Sequence, residues 1–334
     1  MTFRNICIYG AGALGGAIAA KFSSGLAGEA EVSAVARGAH LARMREKGLT
    51  IIEDGVDEPK VHRLTATDDP RELGAQDLVI TGLKGHQLAA AAEGLATLLK
   101  PETRVVMILN GVPWWYFHGD PDPAHAGTQL EALDPGGTLW RLIGPERIIG
   151  CVAYQGGEVV EPGTIHLYHK KRLILGEPDG SASADIETVA ALLNRCGLVG
   201  EATTAIRAEI WTKLMNNAAF NPVSALTRAT MAPLLSDPAI VATMGDIMRE
   251  VKAVAAAFGV NLAIDVDQRL EDSRAIPDVR TSMLQDLLAG RPLEIVSVLG
   301  MVIELARMAS VPVPTCRTTY ALTVRLDEEN RRTA

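Results

Sequence analysis

The stretch NICIYGAGALGG, residues 5–16, constrains the fold of this chain more than any other. NICIY reads as a strand, and ALGGAIAAKFSS (13–24) reads as a helix. Between them, Gly10, Gly12 and Gly15 form G-x-G-x-x-G, with Ala13 and Leu14 opening the helix. The first glycine permits a tight turn, and the second lets a pyrophosphate approach the backbone. The third lets helix and strand pack closely, while the helix N-terminus faces the phosphates. This context predicts a dinucleotide-binding βαβ unit at the start of an alternating α/β domain.

The end of the second strand, EVSAVA (31–36), indicates which nicotinamide dinucleotide to expect. An NAD site usually carries an acidic residue there, to accept from the ribose 2′-hydroxyl. Here the chain has Ala36, Arg37 and Gly38, and Glu31 lies at the wrong end of the strand. A guanidinium suits a 2′-phosphate, so Arg37 favours NADP (NADPH). Two further polar residues follow strands directly, Lys84 after LVITGL (78–83) and Asn110 after RVVMIL (104–109). Open α/β sheets bind ligands at such carboxyl ends.

RIIGCVA (147–153) is a further strand, a helix is predicted over 86–99, and Val/Ile/Gly-rich pieces in 159–175 read as antiparallel strands at one sheet edge. From about residue 204 helical patterns take over, at 204–227, 239–258, 266–273, 281–289, 293–309 and 315–325. The expected organisation is an NADP-binding Rossmann-type domain, residues 1–203, and an all-α catalytic domain, residues 204–334. Residues 111–139 stand apart as a proline-rich, aromatic insert holding Trp114, Trp115, Tyr116 and Phe117. It reads either as a surface excursion pinned by its own aromatics or as a lid.

In EIWTKLMNNAAFNPVSALT (209–227), helical spacing aligns Lys213, Asn217 and Asn221 at i, i+4 and i+8. Their neighbours on the wheel are Ile206, Ile210, Leu214 and Phe220, whereas Glu209, Thr212 and Asn216 group toward solvent. A lysine in apolar surroundings costs stability unless it is paired or neutralised, and partial burial is expected to lower its pKa. Pro222 is expected to put Asn221 at a helix end or kink.

A formal net charge of -8, with no basic stripe to offset it, argues against a nucleic-acid partner. Cys7, Cys151, Cys196 and Cys316 are widely spaced and read as reduced, mostly buried thiols, and no run suits a signal peptide or membrane span. A cytoplasmic protein is expected. His166 and His169 would lie on opposite faces of a strand, which argues against a metal site.

With GAGALG, Arg37, LKGHQ, LNG, IRAEIWTKLMNNAAFNP and TSMLQD in this order, nearly the whole chain resembles the ketopantoate reductase (2-dehydropantoate 2-reductase) family. The resemblance implies NADPH-dependent reduction of 2-dehydropantoate to pantoate, on the route through pantothenate to coenzyme A. It also implies a Rossmann domain joined to a helical one. By motif, Lys213 is similar to the family's catalytic lysine and Glu294 to the acidic residue near it. Asn217 and Asn221 resemble its substrate-binding asparagines, Ser282 the serine that binds the substrate carboxylate, and Lys84 and Asn110 the residues lining cofactor and carbonyl. Glu294 also heads an apolar stripe with Val298, Met301 and Leu305 on the predicted helix, the bland alternative being an acidic residue just after Pro292 that complements a helix dipole. The partners expected are a small 2-oxo acid and, as an open alternative, a second copy in a homodimer. Residues 111–139 depart from the family pattern in length and aromatic content. They leave open a bulkier 2-oxo acid, with Trp114 and Trp115 lining its pocket. A catalytically inactive NADP-binding sensor is the non-enzymatic alternative, and Lys213 weighs against it.

Overall fold

The computed structural model describes residues 3–168, 172–275 and 278–333. The chain forms two compact units, Met1–Leu109 with Trp114–Ile206, and Asn110–Pro113 with Arg207–Ala334. A single cut near residue 203 therefore misses one feature, the four residues from Asn110 that leave the α/β unit and belong to the helical one.

The first unit opens with β1 (Asn5–Tyr9), α1 (Ala13–Gly25), β2 (Glu31–Val35), α2 (Gly38–Lys47), β3 (Leu49–Glu53), β4 (Lys60–His62) and β5 (Thr65–Thr67). It continues through β6 (Leu78–Thr81), α3 (Gly85–Ala96), β7 (Arg104–Ile108), α4 (Thr138–Leu142) and β8 (Ile148–Ala153). β9 (Gly157–Glu161), β10 (Thr164–Leu167), β11 (Arg172–Gly176), α5 (Ala184–Arg195) and β12 (Val199–Ala202) complete it. Six strands lie parallel in the order β5-β2-β1-β6-β7-β8, the doubly wound dinucleotide-binding arrangement. β11 then adds antiparallel to β8, and β12 parallel to β11. β6 and β8 are buried at every residue, which explains their unbroken Val/Ile runs in place of polar alternation.

The strands expected together at one edge in 159–175 divide between two sheets. β9 and β10 join β3 and β4 in a separate four-stranded sheet, with β10 parallel to β3, and only β11 extends the large sheet. Parallel pairing of β10 with β3 joins segments more than a hundred residues apart, so local periodicity carries no trace of it. His166 pairs its Nε2 with Asp54 Oδ1 at 2.8 Å, and His169 lies outside the described residues.

The aromatics of the insert are core, whereas most of residues 118–138 are exposed or half-buried. Trp114, Trp115, Tyr116 and Phe117 are all at most 2% exposed. Trp115 lies over Gly150 of β8, where a Cβ would come within 2.6 Å of its ring, and Trp114 meets Trp140 of α4 edge to face at 6.1 Å. Buried Asp134 caps α4 by accepting from the Leu139 and Trp140 N–H groups. This packing agrees with the pinned excursion. It leaves neither indole free to line a pocket.

The second unit contains α6 (Ile206–Thr227), α7 (Met231–Ser236), α8 (Pro238–Ala257), α9 (Val266–Ser273) and α10 (Ser282–Leu288). A π-helical turn, Val296–Gly300, runs into α11 (Met301–Met308), and α12 (Pro314–Thr333) follows. α8 is the hub, packing against α7, α9, α11 and α12. Among the described residues no helix is long and apolar enough to cross a membrane.

Two expectations change here. α6 continues five residues past Pro222, so of the helix end or kink expected at Asn221 the helix end is excluded. Proline in a helix interior costs about 3 kcal/mol, and the uninterrupted burial from Ala218 to Ala225 offsets it. Glu294 is not in the first helical turn either. It precedes Ile295, and the π turn comes next.

The glycine loop follows β1 as expected. Gly10 has φ +95, and the Gly10 and Ala11 N–H groups both donate to Val35 O at the end of β2. Gly15 packs directly on the turn, since a Cβ there would sit 2.1 Å from Gly10 O. A Cβ on Gly82, just after β6, would sit 2.5 Å from the same oxygen. Gly12 differs, because its Cβ would meet nothing. It caps α1 with no side-chain bond, leaving the first N–H groups of the helix open toward an anion. The loop therefore fits a dinucleotide pyrophosphate. Gly15→Ala is expected to cost about 2 kcal/mol or more by overpacking, and Gly12→Ala under about 1 kcal/mol. Gly12→Ala should nevertheless weaken dinucleotide binding about tenfold or more by narrowing the approach to the backbone. Melting curves and a fluorescence titration check both, and equal loss of stability in the two variants would contradict the geometry.

Candidate active site

α6 carries the polar stripe. Trp211, Leu214, Met215, Ala218 and Ala219 bury its core side, and Lys213 and Asn217 are half-buried at its margin. Asn216, grouped with the solvent side by the sequence pattern, is also half-buried, and its Oδ1 accepts from Arg269 Nε of α9 at 3.0 Å. That contact fixes the turn of helix between Lys213 and Asn217. No local signal announces it, because Arg269 lies 53 residues away.

Three of the expected residues meet. Lys213 Nζ donates to Asn110 Oδ1 at 2.8 Å, and Asn110 Nδ2 donates to Glu294 Oε2 at 3.1 Å. The chemistry of the partners sets the amide's orientation. An ammonium can only donate and an ionised carboxylate can only accept, so the oxygen must face Lys213 and the nitrogen Glu294. Both bonds are charge-assisted. The side chains come from residue 110, from the middle of α6 and from the entrance to the π turn, a convergence that only tertiary packing can make.

Asn217 stands one helical turn beyond Lys213. Asn221 is 8% exposed, and neither amide makes a side-chain hydrogen bond with a described residue. A buried amide left without partners is costly unless water or a ligand supplies them. Ser282 does not join the group. It is exposed at the start of α10, where Thr281, not Ser282, caps the helix by accepting from Leu284 N–H.

On the α/β unit, Arg37 follows β2 and caps α2, exposed and without an ion pair to a described residue. Lys84 caps α3, its N–H donating to Gln87 Oε1 and its carbonyl accepting from Gln87 N–H, each at 2.9 Å. The four cysteines are buried as thiols. Burial pushes the Cys7 thiol up to about 12 and raises Cys316 as well, so neither supplies a thiolate nucleophile.

The sequence pattern missed Gly111 and Ser297. Val112 N–H donates to Ser297 O at 3.0 Å, which ties the segment carrying Asn110 to the π turn. The Asn-Gly dipeptide at 110–111 is a turn signal that could have pointed to Gly111. Ser297 offers no comparable signal.

Comparison with known proteins identifies the family. Residues 6–180 match the ketopantoate reductase PanE/ApbA family, and residues 205–326 match ketopantoate reductase PanE/ApbA C terminal. The 2-dehydropantoate 2-reductase of Mesorhizobium japonicum is 44% identical over 324 residues, covering 97% of this chain and 98% of that one. A crystal structure from Ralstonia solanacearum MolK2 superposes with a TM-score of 0.91 at 38% identity, covering 99% of each chain. The fold alone is shared with a D-mandelate dehydrogenase solved with NADH and anilino(oxo)acetate, at TM-score 0.83 and 21% identity over 98% and 99% of the chains. With family matches across both halves and a 44% identical relative spanning nearly its whole length, the chain belongs to the ketopantoate reductase PanE/ApbA family.

Proposed function

We propose that this protein reduces 2-dehydropantoate to pantoate with NADPH, a step toward pantothenate and coenzyme A. The observation that carries the proposal is the Lys213–Asn110–Glu294 chain of hydrogen bonds, in a protein 44% identical to a 2-dehydropantoate 2-reductase.

A dinucleotide held at the glycine loop would supply a hydride to the ketone carbon. Negative charge then grows on the carbonyl oxygen, and the protein must stabilise it and deliver one proton. Lys213 is assigned both tasks, since its ammonium is a point charge with three donors, one of them directed to Asn110. Asn110 aims the ammonium without adding charge. Glu294 holds Asn110 in turn and offers an acceptor to the product hydroxyl. Asn217 and Asn221 present amides that can bind substrate oxygens without competing for its charge. Ser282 is the weakest member of the assignment, because only the family motif supports it. For the cofactor, an exposed Arg37 without an ion pair to a described residue, at the end of β2, supports a 2′-phosphate and hence NADPH. A cytoplasmic setting is supported by the burial of the four cysteines as thiols.

A panel of 2-oxo acids assayed with NADPH and NADH tests the reading. Turnover should be fastest on 2-dehydropantoate with NADPH, and a clear preference for aromatic 2-oxo acids would overturn the substrate assignment. Arg37→Ala should raise the KM for NADPH about tenfold, the value of roughly one charge-assisted hydrogen bond, and leave the KM for NADH nearly unchanged. Equal losses with both cofactors would remove Arg37 from the site. Lys213→Ala should fold, bind NADPH and lose about two to four orders of magnitude in kcat. Near-normal turnover by the folded variant would show that another group donates the proton.

A further inference from the structure

The π turn Val296–Gly300 is an irregularity with a visible consequence. In an α-helix the N–H of Met301 would bond the carbonyl four residues back, that of Ser297. Here it bonds Val296 O, five residues back, so the Ser297 carbonyl loses its usual intrahelical donor. A donor from elsewhere takes its place, the N–H of Val112 at 3.0 Å. Gly111 makes this approach feasible. Its φ is +78, and a Cβ there would stand 2.1 Å from Ser297 O and 2.5 Å from Ser297 C, so no L side chain fits without moving the loop.

Three residues upstream on the same segment, Glu294 accepts from the Asn110 side chain. The Glu294 carbonyl in turn receives Val298 N–H at 3.3 Å and Ser297 Oγ at 3.3 Å, which holds Glu294 onto the turn. Asn110 is thus fixed twice, through its side chain to Glu294 and through its own segment's backbone to Ser297. One amide oxygen remains, and it faces Lys213.

We infer that the π turn is a positioning device, in which the Ser297 carbonyl and Gly111 clamp the Asn110 loop and so set the direction of the Lys213 ammonium. π turns recur at functional sites, and this one has a definite use, to expose one carbonyl toward an incoming loop. Gly111 and Ser297 are positioning residues that act through Asn110. The inference rests on the reading of Lys213 as proton donor and adds to it the means of aiming that donor.

The test is a double-mutant cycle in the full chain, with Gly111→Ala, Asn110→Ala and the pair. Gly111→Ala alone should lower kcat about tenfold to a hundredfold, the scale of an ångström-sized misplacement, and leave NADPH affinity within about twofold of the parent. In the Asn110→Ala background the same change should cost almost nothing further, because the group it positions is already gone. Additive losses, or full activity in Gly111→Ala, would overturn the inference while leaving the Lys213 assignment intact. Full activity in Lys213→Ala would instead overturn the assignment itself. A second measurement needs no variant. The Val112 amide of the unaltered protein should exchange with deuterium at least about a hundredfold more slowly than in an unfolded chain, as a clamped N–H does. Unprotected exchange at Val112 would overturn the clamp however the variants fold.

Discussion

A single primary amide holds the candidate site together. Asn110 presents its oxygen to an ammonium that can only donate and its nitrogen to a carboxylate that can accept. No other uncharged side chain of that length offers both polarities from one planar group with its orientation set by its partners. A carboxylate in its place would pair with Lys213 but repel Glu294, and a lysine would do the reverse. The demand reaches outward into the fold. It draws residues 110–113 out of the α/β unit and into the helical one, gives the turn at Gly111 a positive φ, and bonds Val112 to the π turn.

The two units solve different problems. The α/β unit brings backbones close together, and its glycines show where. Gly10, Gly15 and Gly82 pack main chain on main chain, whereas Gly12 leaves space on the outer side of the same turn. The packed glycines build the loop, and the open one leaves its outer side clear. The helical unit instead brings polar groups from distant segments to one margin of α6. Its cost is irregularity, a proline inside α6 and a π turn ahead of α11, each held by buried neighbours.

The aromatic insert shows how composition can mislead about role. Trp114 to Phe117 begin a few residues after Asn110, where sequence position hints at a substrate lid. Their burial and the cavity left for Trp115 by Gly150 assign them to the core of the α/β unit instead. Bulky aromatics bury large apolar areas, so a core can recruit them from an insert as readily as from a strand.

The sequence by itself determined what short-range rules govern. A glycine pattern between a strand and a helix specified the tight turn after β1, and the sequence itself put Arg37 at the end of β2. The spacing of Lys213, Asn217 and Asn221 specified one helical stripe, because 3.6 residues per turn leave no other arrangement. Only the tertiary structure decided the rest. The bonds from Asn110 to Lys213 and Glu294 span 103 and 184 residues, and the parallel pairing of β10 with β3 is similarly remote. The π turn is hidden for a related reason. The pattern Glu294, Val298, Met301, Leu305 reads as a regular helix, and whether one carbonyl is released from it depends on Val112 being there to receive it. Periodicity reports which face of an element is apolar, but a hydrogen bond between segments exists only once packing has brought them together.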